Sequence, residues 1–95
     1  MLKALELEKK ESGEDFVGLA YNLCKLGFVE DKLGKFDQAE KYCLRALELV
    51  KNEFGEDYAE LAVILDNLGY IYNDFGKFNQ AEKCLLRALE LKKNK

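Results

Sequence analysis

The chain repeats itself. Slid along itself by 42 positions, residues 1–53 align with 43–95 without a gap, and 30 of the 53 pairs are identical. The segment Leu33–Asn52, LGKFDQAEKYCLRALELVKN, meets Phe75–Asn94, FGKFNQAEKCLLRALELKKN; ALELEKKESGED from Ala4 meets ALELVKNEFGED from Ala46. A fixed period of this kind means that one supersecondary unit is stacked on copies of itself, each covering the apolar face that its neighbour cannot bury alone. The 95 residues hold about two and a quarter units. Leu2–Leu7 matches Leu86–Leu91, so both ends read as cut from, or related to, a longer array.

Each unit reads as two helices. Phe36, Ala39, Tyr42, Cys43, Ala46, Leu47 and Val50 recur in steps of three and four, the spacing of one face of an α-helix. The next unit repeats the pattern with Phe78, Ala81, Cys84, Leu85, Ala88 and Leu89. The partner helices carry Leu19, Leu23, Leu26, Val29 and Leu33, and then Leu61, Ile64, Leu65, Leu68, Ile71, Tyr72 and Phe75. With no proline present, glycine must punctuate the chain. Gly34 and Gly76 suit left-handed C-terminal caps, and Gly13 and Gly55 occupy the other junction. Asp57 with Glu60 resembles a capping box; Asp15 matches Asp57, but Gly18 replaces Glu60 and weakens that start. Helices are expected near 1–11, 14–33, 36–54, 57–75 and 78–94. This is an all-α, single array: half a unit over 1–11, then complete helix pairs over 14–54 and 57–94. Gly27 and Gly69 stand inside helices, where glycine costs about 1 kcal/mol against alanine. Their recurrence, with Ala39, Ala46, Ala81 and Ala88 on the partner helices, predicts close helix–helix approach.

These positions resemble the tetratricopeptide repeat. Leu65, Leu68, Gly69, Tyr72, Ala81, Leu85 and Ala88 fill the family pattern, and Leu23, Leu26, Gly27, Glu30, Ala39, Cys43 and Ala46 fill it in the other unit. Departures are Leu for the usual Trp, Glu30 for Tyr, Cys43 or Leu85 for an aromatic, and Lys51 and Lys93 where a proline closes the unit. The common unit has about 34 residues. The 42-residue period looks more like the longer variant of kinesin light chains and many bacterial signalling proteins, with Phe54–Ala59 in place of its proline-containing loop. The resemblance implies an α-solenoid whose first helices line a concave groove for an extended peptide or a partner helix. By register the groove positions are Tyr21, Cys24, Lys25, Phe28, Asp31 and Lys32, then Val63, Asp66, Asn67, Tyr70, Asn73 and Asp74. In the family, asparagine at the place of Asn67 bonds a ligand backbone. Lys25 in the other unit does not complete a basic clamp for a carboxylate, and Asp31, Asp66 and Asp74 would repel an acidic peptide end.

Each of these has a plainer reading. Asn67 is also compatible with an exposed helical asparagine, since Asn22, Asn73 and Asn79 are tolerated elsewhere. Tyr21, Phe28 and Tyr70 are either a binding stripe or packing residues. Cys24 has no histidine to activate it and reads as a half-buried thiol, Cys43 and Cys84 as small core residues. Asp66 and Asp74 lie more than two turns apart on one helix and cannot share an ion, so no metal site is expected.

Enzyme chemistry finds no foothold: there is no histidine, Ser12 is the only hydroxyl besides tyrosines, and no phosphate-cradling loop appears. No catalytic residue and no cofactor are assigned. The 15 basic and 18 acidic residues are interspersed, which argues against nucleic acid. No apolar run approaches the roughly 18 residues of a membrane span. Three cysteines without paired spacing suit a reducing, cytoplasmic setting. The expected role is therefore a protein- or peptide-binding scaffold. Self-association is the second reading: Leu85 and Leu89 lie on a face that a next unit would cover, and Leu2, Leu5 and Leu7 mark the other end.

Overall fold

Two glycines set how closely the helices approach. A Cβ on Gly27 would stand 2.9 Å from Cys43 Sγ and 3.1 Å from the Ala39 carbonyl oxygen. One on Gly69 would stand 2.9 Å from Leu85 Cδ2 and 3.4 Å from the Ala81 carbonyl oxygen. The close approach expected of the recurring glycines is present in both units. In the computed structural model, which describes residues 13–93, four α-helices follow one another: α1 (Gly13–Lys32), α2 (Phe36–Phe54), α3 (Leu61–Asp74) and α4 (Phe78–Lys93). The expected helix over 1–11, with Leu2, Leu5 and Leu7, lies outside the described residues. α1 packs on α2 and α3 on α4 as antiparallel hairpins; α2 packs on α3, and α1 also meets α3. The result is a two-layer slab, 38 × 34 × 14 Å.

Glycine ends the helices as expected. Gly34 and Gly76 have φ of 79° and 76°. Beside them Lys35 N donates to Glu30 O (2.9 Å) and Gly34 N to Asp31 O (3.0 Å), and Lys77 N and Gly76 N repeat the pair on Tyr72 O and Asn73 O. These paired bonds form the Schellman cap, in which a left-handed residue satisfies carbonyls that the helix leaves free. Gly55 follows α2 at φ 94° and donates to Lys51 O. Gly13 departs from this pattern, since it opens α1 as a helical residue.

The second complete pair begins later than expected. α3 starts at Leu61, and the proposed capping box of Asp57 and Glu60 does not form. The reason is tertiary. Tyr58 packs on the core and stacks on Phe54 with ring centroids 4.5 Å apart, which holds residues 56–60 in turns. Leu61, Ala62 and Val63 then bond back three residues to Tyr58, Ala59 and Glu60, a tight 3₁₀-like first turn. Asp57 instead meets Arg87 of α4 at 3.3 Å, and Arg87 also donates to the Glu56 carbonyl.

One apolar cluster runs through all four helices, with Leu23, Val50, Ile64 and Leu91 among its buried members; a second gathers Ala39, Cys43, Leu68, Ile71, Tyr72 and Ala81. Full burial of side chains such as Ile64, Ile71 and Val50 contributes about 1.5–3 kcal/mol each. Val29 and Leu33, expected on the apolar stripe, are exposed. Phe36 is partly buried against Tyr72 and Phe75, with ring centroids at 6.0 and 5.2 Å. Its repeat-mate Phe78 is 65% exposed.

Candidate functional site

The repeat places α1 and α3 side by side, and the surface between them is the candidate site. A groove of about 440 Å³ is lined by Tyr21, Cys24, Lys25, Phe28, Val29, Val63 and Asn67. Six of these are positions assigned from register; Val29 was read as a packing residue. The helical spacing that put Val29 on the apolar stripe gave no signal that it would edge the groove. Cys24 forms the floor and is buried in the core cluster. Contact with the Cys43 thiol holds Cys24 below the ordinary thiol range, assisted by the Asn67 carboxamide and opposed by burial. The same contact, with burial, pushes Cys43 far up. Burial also raises Cys84, the third free thiol.

Further along, Phe28 and Tyr70 meet across the two helices with centroids 5.9 Å apart. Both rings are nearly half exposed. Lys32 caps the pair: its Nζ donates to Tyr70 Oη at 3.1 Å and lies 4.9 Å from the Phe28 centroid and 5.3 Å from that of Tyr70. A cation above two rings is attracted by their negative faces. The phenol bond raises the Lys32 pKa.

At the groove's other end the Tyr21 hydroxyl donates to the Glu60 carboxylate. That bond, more than burial, moves the Tyr21 pKa up to about 12. Sequence reasoning gave Glu60 to a helix cap; the structure uses it to tie the start of α3 to α1. A parallel bond lies outside the groove, where Tyr72 Oη donates to Glu40 at 2.6 Å and ties α3 to α2.

The acidic positions separate. Asp66 is taken by Lys92 of α4 at 2.7 Å, so its charge is met from the neighbouring helix. Asn73 and Asp74 are exposed. Asp31, expected to face a ligand in the open, is only 6% exposed, and neither carboxylate oxygen has a hydrogen-bond partner. Its neighbour is the Asp74 carboxyl group, and burial first, then Asp74, raises the Asp31 pKa to about 6. This meeting of positions 43 apart, one beyond the repeat period, has no signature in the sequence. Leu85 rests on Gly69 yet stays 45% exposed, and Leu89 is 51% exposed.

The site offers apolar and aromatic surface, one carboxamide and separated charges, an arrangement suited to binding. Among the described residues no group of three potential metal ligands gathers, and no helix is long and apolar enough to cross a membrane. No curated protein matches the chain. The family model described as tetratricopeptide repeat matches residues 16–94, and no catalytic family is indicated. With its helix order, close-approach glycines and glycine caps all following that repeat, the chain belongs to the tetratricopeptide repeat family, whose general role is protein–protein interaction.

Proposed function

We propose that this chain is a scaffold that holds an extended segment of a partner protein in the groove between α1 and α3. The observation that carries the reading is the exposed row of Phe28, Tyr70 and Val63, each 42–46% accessible, beside Asn67. Exposed aromatics flanking a concave surface supply large contact area at small entropic cost, and a carboxamide among them can pair with a peptide backbone. The 42-residue period supports placing the unit with the longer variant of kinesin light chains. Three free thiols support a reducing, cytoplasmic setting. Peptides selected from a random library on the immobilised protein should lose binding to an Asn67→Ala/Tyr70→Ala double variant that retains its helical circular dichroism. Unchanged binding to that folded variant overturns the groove.

A second reading is self-association through α4. Phe78, Leu85 and Leu89 are 65, 45 and 51% exposed on the last helix. The repeat-mate of Phe78, Phe36, is covered by the next hairpin within the same chain, so another copy has a pattern to follow. Light scattering over a wide concentration range should show an oligomer that Leu89→Glu disperses; a monomer throughout removes this reading.

A further inference from the structure

We infer that Asp31 and Asp74, at the C-terminal ends of α1 and α3 beyond the groove lining, form a cation subsite, which takes the ammonium or guanidinium group of a lysine or arginine in the bound segment. The inference rests on the groove reading above and names the chemistry of its occupant. Asp31 is more than nine-tenths buried, and both of its oxygens lack a donor. A buried carboxylate without a partner is destabilising, and folded proteins carry few of them without a role. Its neighbour, Asp74, is exposed, so a ligand reaches the pair at Asp74, with the covered Asp31 carboxyl behind it. Among the described residues neither carboxylate has a salt-bridge partner.

Everything else at this spot favours positive charge. Asp31 and Asp74 occupy the last turns of α1 and α3, at the negative end of each helix dipole. The nearest cation, Lys32, is turned away onto the Tyr70 hydroxyl and the Phe28 ring. Those rings also show that this surface accepts a cation with an apolar stem. A cation arriving from a partner would pair with Asp74 and compensate the charge of Asp31 behind it. Arginine adds a planar fork that meets a carboxylate through two bonds.

The groups facing Asp31 are Lys32 on its own helix, Cys43 from α2 and Asp74 from α3. Because protonation of Asp31 removes charge that draws the ligand cation, binding of a basic peptide should weaken as pH falls from about 7.5 to about 5.

The test pans a random peptide display library on the intact protein and on Asp74→Lys, an exposed change that spares the core. Peptides selected by the unaltered chain should share a lysine or arginine at one position, and those selected by Asp74→Lys should not. A selected basic peptide should bind Asp31→Asn about tenfold or more weakly, the order of a lost charge-assisted bond, and should lose its pH dependence there. Peptides that bind the groove, as shown by loss on Tyr70→Ala, but without a basic preference overturn the cation subsite and leave the groove standing. If no selected peptide depends on Tyr70, both readings fail.

Discussion

The missing side chain of Gly27 is the space that Cys43 occupies: a Cβ there would stand 2.9 Å from Sγ and 3.1 Å from the carbonyl oxygen of Ala39. The sulfur is buried and the carbonyl belongs to the helix backbone, so neither yields easily. Gly27→Ala gains about 1 kcal/mol of helix propensity and loses about 1–3 kcal/mol to overpacking. The expected outcome in urea unfolding is a net loss of up to about 2 kcal/mol. Gly18→Ala is the control. Nothing lies within 4 Å of its added Cβ, so it should gain up to about 1 kcal/mol. Equal effects at both positions would contradict the tight contact of α1 and α2.

Gly34 and Gly76 test a different cause. Both have open space around a Cβ, yet both sit at positive φ. Alanine there should cost about 1–2 kcal/mol through backbone strain alone. Thermal unfolding of Gly34→Ala and Gly76→Ala, each compared with the glycine parent, measures it. No loss at either position would argue against the left-handed caps.

Asp31 should make stability depend on pH. Its carboxyl rises from 3.8 to about 6 on folding, so between these values the folded chain binds more protons than the unfolded one. Its contribution is fully present below about pH 4 and is lost as pH rises through about 6, by at most about 3 kcal/mol. Asp31→Asn should therefore be more stable than the parent near pH 7.5 and closer to it near pH 4. Denaturant curves at the two pH values give the difference. A gap between the two proteins that does not change with pH would contradict the buried, raised carboxyl of Asp31.

Tyr72 Oη donates to Glu40 at 2.6 Å, joining the two hairpins through a charged acceptor. Tyr72→Phe leaves the ring and removes the bond, for an expected loss of about 1.5–3 kcal/mol. Burial, with the carboxylate adding, raises the Tyr72 pKa, so the phenol keeps its proton past the usual alkaline range. A spectroscopic tyrosine titration should show a late-ionising group that vanishes in Tyr72→Phe. Loss of an ordinary tyrosine instead would place the hydroxyl in solvent.

Much of the architecture is written locally. The extent of α2 follows from its apolar spacing, and the ends of α1 and α3 from Gly34 and Gly76. Gly27 and Gly69 announced close contact because a costly residue recurred at one register position. Register also named most of the groove lining, since helices stacked at a fixed period present equivalent positions side by side. Where local chemistry met a competing long-range contact, the sequence reading failed: Asp57 and Glu60 have the residue types of a cap, but Tyr58 docks on the core and their carboxylates go to Arg87 and Tyr21.

The clearest limit is that equivalent residues meet different fates. Phe36 is half covered and Phe78 exposed; Asp31 is buried, while Asn73 at its register position is open. Periodicity and glycine act within a few residues, so the pairing of helices and the apolar face of each are legible along the chain itself. Which faces are covered, and that Asp31 lies near Asp74, follow from packing between units, because burial and charge contact depend on what another unit brings close in space.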